Sequence, residues 1–151
     1  MLDITVIEPF AHIAAKLAEH IAPNAANITS LPNLSLSSRP DLLLFSQQEV
    51  SPFPGVIHCK ILLAPGQIAP EVLANIQADW IVSFGLSARD TITFSSLEET
   101  RAQLAVLREI VTLRENLIEP QEIPVTLTRA FTPEQSLAFY GALLLLDKPL
   151  H

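Results

Sequence analysis

Residues 80–97, WIVSFGLSARDTITFSSL, place apolar segments on both sides of a polar loop. The apolar segments are short and rich in aromatic and β-branched side chains, a pattern that predicts strands. After the loop, residues 91–95 alternate between hydroxyl and apolar side chains, as expected for a strand with one apolar face. We therefore predict that a parallel sheet gives way to an antiparallel extension in this stretch.

Before this junction, strand-like and helix-like segments alternate along the chain. Strands are predicted at 2–7, 41–46, 58–64 and 80–84, and residues 28–31 are the only strand-like part of the loop 22–40. Helical periodicity follows the first strand, at Phe10, Ile13, Ala14, Leu17, Ala18 and Ile21, and returns at Val72, Leu73 and Ile76. This alternation predicts an α/β fold, with a Rossmann-like, mostly parallel sheet flanked by helices, in a single domain of residues 1–151.

Composition and charge narrow the classes of function. Hydrophobic residues make up 49% of the chain and charged residues only 17%, and a surface so poor in charge favours self-association or a partner protein. The formal net charge is -7, and no run of Lys and Arg occurs. Both observations argue against binding to nucleic acid or to an anionic membrane surface.

The single cysteine, Cys59, cannot form an internal disulfide, which is typical of a reduced compartment. The first ten residues do not resemble a signal peptide, and the apolar stretch 137–146 is too short to span a bilayer. We therefore expect a cytoplasmic protein in which Cys59 is a buried thiol.

Sequence motifs for cofactors and metals are absent. The turn after the first predicted strand is Glu8-Pro9-Phe10-Ala11, without the glycines of the dinucleotide-binding motif G-x-G-x-x-G. No P-loop motif occurs, and the chain has only four glycines. His12 and His20 are too far apart on their helix to share a metal ion without other ligands. No cofactor is therefore identified, no metal site is predicted, and both histidines are expected at the surface.

The best candidate for a ligand site is the pair of loops that follow the strands 58–64 and 80–84. In parallel sheets, ligands bind beyond the carboxyl ends of the strands. Two of the four glycines lie in these loops, where backbone amides and hydroxyls would receive an anionic or sugar-like ligand. The alternative is that the glycines only turn the chain, the hydroxyls satisfy local backbone groups and Asp90 caps the turn. The predicted ligand-binding residues are Gly66, Gln67, Ser83, Gly85, Ser87 and Arg89.

Residues 97–116 allow two interpretations. A capping-box pattern at 96–99, followed by Leu, Glu, Arg and Ala, would begin a long helix. The alternative is a strand over 103–113, turned at 114–116 into a second strand over 117–127. We favour this antiparallel hairpin near the C-terminus, preceded by a short helical turn.

No catalytic residue is predicted. Glu119 and Glu122 would lie on opposite faces of a regular strand, and we expect them to be exposed charges that protect an edge strand. His58 and His151 have no nucleophile nearby in a context that would indicate a Ser-His-Asp triad.

The last helix has clear start signals at Thr132, Pro133 and Gln135. Residues 137–146 are apolar almost all round, so this helix must be buried on every side. In a small domain that indicates the core on one face and a second copy on the other. We therefore expect a homodimer through the helix 133–146.

Two resemblances add to these expectations. The stretch SFGLSARDTITFSSL, together with LREI, TL and IEPQEIPV further on, resembles a family of small uncharacterised α/β proteins of anaerobic Gram-positive bacteria, from about Ile61 onward. The segment DWIVSFGLS is similar to the point where Mur ligases leave their nucleotide-binding domain. Because the phosphate-binding loop, catalytic carboxylates and metal-binding His of those ligases have no counterparts here, the second similarity implies an α/β domain and not a ligase.

Two functional hypotheses follow. The favoured one is a non-catalytic α/β module that binds a partner protein or a small anionic ligand. The alternative is an enzyme of nucleotide-sugar or cell-wall metabolism, distantly similar to Mur ligases, which would use Arg89, Asp90 and the hydroxyls around them. The first is preferred because a catalytic domain of that type normally shows a phosphate loop and an acid/base pair.

Overall fold

The computed structural model describes residues 1–10, 12–35 and 39–150, which form a mixed sheet with helices packed on both of its faces. His151 lies outside the described residues. The helices are α1 (His12–Ala18), α2 (Pro70–Leu73) and α3 (Pro133–Leu145). The strands are β1 (Leu2–Ile7), β2 (Ala26–Leu31), β3 (Leu42–Phe45), β4 (Ile57–Pro65), β5 (Ile76–Phe84), β6 (Ile92–Leu97), β7 (Arg101–Val106), β8 (Ile110–Val111), β9 (Leu117–Ile118) and β10 (Gln121–Thr126).

Eight strands form the main sheet, in the order β10-β7-β6-β5-β4-β3-β1-β2. The strands from β2 to β6 in this order are parallel to one another. β7 runs antiparallel to β6, and β10 runs antiparallel to β7. The predicted mostly parallel sheet with an antiparallel extension is confirmed, and the direction changes at β6, the last strand of the stretch 80–97.

β4 shows how the sheet separates two apolar layers. Ile61 and Leu63 belong to the layer that packs against α1 and α3, whereas Leu62 and Ala64 belong to the layer under α2. All four side chains are at most 2% exposed. A strand segment that is covered on both faces must be apolar at every position, so residues 61–64 form a continuous hydrophobic run, whereas His58 and Lys60 earlier in β4 are not fully buried.

The helices are shorter than their apolar periodicity predicts. α1 does not include Phe10, which is 72% exposed, or Ile21, which is buried beyond its end. The helical periodicity includes Ile76 in the second helix, but this residue begins β5 and is paired with Ile57 of β4. Val72 and Ile76 are buried in the same layer, one from a helix and one from a strand, so their helical spacing is coincidental.

The favoured antiparallel hairpin is confirmed, but its two predicted strands, 103–113 and 117–127, are each interrupted, and the short helical turn predicted before it is wrong. β7 pairs with β10, and β8 pairs with β9 further out, where Ile110 lies opposite Ile118. Residues 96–97 belong to β6, and the amide of Glu98 donates to the carbonyl of Arg101 at 2.8 Å, which closes a tight turn into β7. Pairing between β6 and β7 therefore uses the backbone groups that a helical turn would need.

α3 is covered on every side within the chain. Residues 136–145 are all buried, against β3 to β6 on one side and α1 on another. The hairpin adds two contacts: the amide of Leu113 donates to the carbonyl of Leu145 at 2.9 Å, and the Thr112 hydroxyl donates to Asp147 at 2.8 Å. The burial of helix 133–146 therefore does not require the second copy that its sequence suggested.

The charged and titratable side chains that were expected at the surface include two glutamates and two histidines. Glu119 and Glu122 are exposed at the β10 edge, and His12 and His20 are exposed on the α1 side, as predicted. Within the described part of the chain, none of the helices has the length and apolar character needed to cross a bilayer.

Candidate functional site

A cavity of about 620 Å³ lies where the carboxyl ends of β3, β4 and β5 meet the start of α3. Parallel strands bring these ends to one edge of the sheet, which is where ligands bind in such folds. Its volume is within the range of small-molecule sites. We call it the strand-end cavity. Its lining comes from residues 46–49 after β3, 65–67 at the end of β4, 84–87 and Asp90 after β5, and Thr132, Glu134 and Gln135 at α3.

The carboxylate of Asp90 lies directly over Gly66 and Gly85. Asp90 is only 6% exposed, and its Oδ2 accepts a hydrogen bond from the Ser87 amide at 3.2 Å. A Cβ atom on either glycine would overlap this carboxylate. No described glycine has a positive φ, so these two glycines are needed for the close approach of Asp90 and not for a left-handed turn. The predicted role of Asp90 as a cap of its turn is confirmed.

The backbone amides of the two glycines are already used by the sheet. Gly66 donates to the carbonyl of Phe84 at 3.0 Å, and Gly85 donates to the carbonyl of Ile92 at 3.1 Å. The Ser87 amide donates to Asp90. These three amides are therefore occupied, and the negative charge beside them is the protein's own.

Four of the six predicted ligand-binding residues line the strand-end cavity: Gly66, Gln67, Gly85 and Ser87. Ser83 does not, because its hydroxyl accepts a hydrogen bond from the amide of Thr91 at 3.1 Å and joins β5 to the start of β6. Arg89 is exposed at the outer part of the loop, outside the lining. The predicted set is thus only partly brought together.

The start of α3 supplies the far wall of the cavity, from a segment more than forty residues beyond Asp90 in sequence. Thr132 and Gln135 form a reciprocal capping box, in which the Thr132 hydroxyl accepts from the Gln135 amide at 3.1 Å and the Gln135 side chain accepts from the Thr132 amide at 2.9 Å. The box satisfies these first amides of the helix within the chain. It also holds Glu134 at the cavity wall.

The turn after β1 is the other place where an α/β fold binds phosphate, and here a side chain fills it. Glu8 is only 3% exposed. Its carboxylate accepts hydrogen bonds from the amides of Ile13 at 2.8 Å and Ala14 at 3.0 Å, and from the Ser30 hydroxyl at 3.1 Å. A carboxylate at the start of a helix takes the position that a bound anion would otherwise occupy.

Cys59 is a buried thiol, as predicted, in the layer beneath α2. Burial, and to a smaller extent the nearby charge of Asp79, raise the pKa of this thiol to about 12. The thiolate is the reactive form, so Cys59 is a poor nucleophile at neutral pH. Among the described residues, no three His, Cys, Asp or Glu side chains lie close enough together to hold a metal ion.

We predict that Gly66→Ala lowers the free energy of unfolding by about 2 kcal/mol, because the new methyl group displaces the Asp90 carboxylate from its buried position. In an Asp90→Ala background the same change should be nearly neutral. Urea unfolding of the four proteins in this double-mutant cycle measures the coupling, which we expect to exceed about 1 kcal/mol.

Gly55→Ala is the matched control for that cycle, since Gly55 lies in the loop before β4 and is not part of the lining of the strand-end cavity. It should change stability by no more than about 0.5 kcal/mol. If the losses of stability in Gly66→Ala and Asp90→Ala were additive, Gly66 would not be required for the buried position of the Asp90 carboxylate.

The most important site residues were not selected from the sequence. The sequence predicts that Asp90 caps a turn and gives it a catalytic use only under the alternative enzyme hypothesis, and it predicts no role for Glu8, although an acidic residue between a strand and a helix is a recognisable signal for a helix start. A scan against models of known protein families finds no match, and a search of curated proteins finds none either. The resemblances seen in the sequence therefore stay predictions.

Proposed function

We propose that this protein is a non-catalytic α/β module that binds a small polar ligand in the strand-end cavity. The carrying observation is the cavity itself, at the shared carboxyl edge of three parallel strands, with walls from four separate parts of the chain. Its lining combines amide and hydroxyl side chains, such as Gln67 and Ser87, with the apolar Leu86. This mixture of apolar contact and a few directed polar groups is typical of small-molecule sites.

The order β2-β1-β3-β4-β5 supports a Rossmann-like interpretation of the sheet, because flavodoxin-like doubly wound sheets have the same order. In such sheets a phosphate group binds at the first strand-helix turn. Here Glu8 occupies that turn, so the ligand is proposed at the neighbouring strand ends instead. The expected anionic ligand has little support from the contacts, because the amides of Gly66, Gly85 and Ser87 already have acceptors.

Amide chemical shifts of ¹⁵N-labelled protein would test the proposal, with glucose, glucosamine, glucose 6-phosphate, AMP and UDP-N-acetylglucosamine as probes. We expect at least one probe to shift residues 46–49, 65–67 and 84–87 together. Gln67→Trp should abolish these shifts by filling the cavity mouth, whereas Gln77→Trp, the same change on an exposed part of β5, should not.

The proposal fails if no probe shifts these residues, or if Gln67→Trp binds as well as the wild type. Consumption of UDP-N-acetylglucosamine during the titration would instead favour the enzyme hypothesis. A partner protein on this surface, the other half of the favoured hypothesis, would be revealed by co-purification that Gln67→Trp abolishes and Gln77→Trp preserves.

A further inference from the structure

The charges that line the strand-end cavity are all negative. Three carboxylates, Glu49, Asp90 and Glu134, come from three different elements, and no Lys, Arg or His is among the described lining residues. The nearest basic residue in sequence, Arg89, is exposed outside the lining. A cleft lined by one sign of charge concentrates ions of the opposite sign, so this cavity attracts cations and repels anions.

Asp90, one of these three carboxylates, adds a second observation, which comes from its burial and hydrogen bonding and not from its charge. The residue is 6% exposed, and only its Oδ2 receives a hydrogen bond from the described part of the chain. Its Oδ1 receives no hydrogen bond from the described residues. Among these residues, every side-chain oxygen or nitrogen that is fully enclosed has a hydrogen-bond partner, so Oδ1 is not fully enclosed. Oδ1 therefore keeps some accessible surface, and because Asp90 lines the strand-end cavity, we infer that this oxygen can accept a hydrogen bond from a ligand there. A buried charge left in this state is stabilised by a cationic donor.

A metal ion is not the cation that fits. The three carboxylates do not form a group close enough to hold a metal among the described residues. Calcium and magnesium need several oxygen ligands around one point. A cavity of about 620 Å³ instead holds a whole organic molecule, whose ammonium group can reach Asp90 while its other polar groups contact Gln48, Gln67 and Ser87.

We propose that the strand-end cavity binds a small, polar organic cation, with its ammonium group donating to Asp90 Oδ1. Glu49 and Glu134 contribute long-range attraction at the cavity wall. This inference rests on the proposed function, since it names the chemical class of the ligand for the same site.

Calorimetric titration with molecules that share a shape but differ in charge tests the proposal. Glucosamine, glucose and glucose 6-phosphate have the same sugar ring. At a pH slightly below neutrality, glucosamine carries one positive charge, glucose is neutral and glucose 6-phosphate is negative. The linear pair 1,5-diaminopentane and 1,5-pentanediol repeats the comparison without a sugar. We expect each amine to bind at least about tenfold more tightly than its neutral counterpart, and the phosphate not to bind.

Asp90→Asn keeps an oxygen for the Ser87 amide and removes the charge, so it should weaken amine binding at least about tenfold and leave binding of neutral molecules unchanged. The double variant Glu49→Gln, Glu134→Gln removes only the outer charges. Because neither position is buried, this second variant does not put the fold at risk. It should weaken amine binding by about two- to threefold and reduce its dependence on salt. Glu109→Gln, an exposed glutamate outside the lining, is the matched control and should bind amines like the wild type.

Tighter binding of glucose or glucose 6-phosphate than of glucosamine, lost in Gln67→Trp, would overturn the cation inference and leave the cavity as the ligand site. Amine binding that Asp90→Asn does not change would also overturn it. If neither amine binds at a ligand concentration of about 10 mM, the inference is overturned as well. Binding of every probe outside residues 46–49, 65–67 and 84–87 would defeat the proposed function too.

Discussion

Replacing Glu8 by alanine is expected to lower the free energy of unfolding by about 3 kcal/mol. The carboxylate accepts the amides of Ile13 and Ala14 in a buried position, and alanine leaves both amides without a partner. Each unsatisfied buried donor costs about 1–3 kcal/mol. For a domain of this size, the loss corresponds to a fall in melting temperature of about 6–12 °C. Urea unfolding followed by circular dichroism measures the free energy directly.

Two further variants separate capping from general loss of charge. Glu19→Ala removes an exposed carboxylate just beyond the end of α1, whose ion pair with Lys16 at 3.4 Å lies at the surface, and it should cost about 0.5 kcal/mol or less. Glu8→Gln keeps one acceptor oxygen and should fall between wild type and Glu8→Ala. A loss below about 1 kcal/mol for Glu8→Ala would contradict the role assigned to this carboxylate.

Gly141→Leu is expected to destabilise the protein by about 3 kcal/mol or more. Gly141 lies in α3 against the sheet, and a Cβ atom there would be 3.2 Å from Leu63 Cδ2 and 3.3 Å from Ile92 Cδ1. A leucine would force three more carbon atoms into this contact. Overpacking of a close-packed core usually costs about 1–3 kcal/mol and occasionally more. The same urea titration measures the loss.

Gly141→Ala gives the graded comparison. Alanine gains about 1 kcal/mol of helix propensity over glycine, and crowding against Leu63 opposes that gain, so stability should stay within about 1 kcal/mol of the wild type. Leu63→Ala should recover part of the loss in Gly141→Leu by making room for the new side chain. If Gly141→Leu were as stable as Gly141→Ala, α3 would not be packed on β4 and β6 as closely as described.

Local patterns predicted most of the elements because those elements are stabilised by features that a pattern records. β3 and residues 61–64 of β4 are apolar throughout since both faces of the sheet are covered there, whereas the first half of β4 contains the exposed His58 and the half-buried Lys60. β6 is buried at Ile92 and Thr93 and becomes exposed toward its end. The pattern fails at Ile76 because its helical spacing from Val72 is satisfied equally by a strand that packs into the same layer. The residues that follow β6 became a turn because pairing with β7 outweighs a capping-box pattern.

The sequence predicted only those parts of the candidate site that depend on residues close together in the chain. Gly66 and Gly85 were selected since they follow strands, but their purpose depends on Asp90, whose carboxylate reaches both only after β4 and β5 have paired. The burial of α3 was expected to need a second copy, because nothing local shows that α1 and the hairpin cover its outer faces. Glu134 reaches the cavity through the same long-range packing.

The position of α3 also has a consequence for synthesis on the ribosome. The side chains of β3 and β4 that α3 covers have been made once Pro65 is added to the chain, but α3 begins only at Pro133. Translation proceeds at about 5–20 residues per second, so roughly 3–14 s separate the two events. Strands that pair during that interval expose the part of this apolar layer that α3 later covers, so we expect protection by a chaperone to be most valuable at this stage.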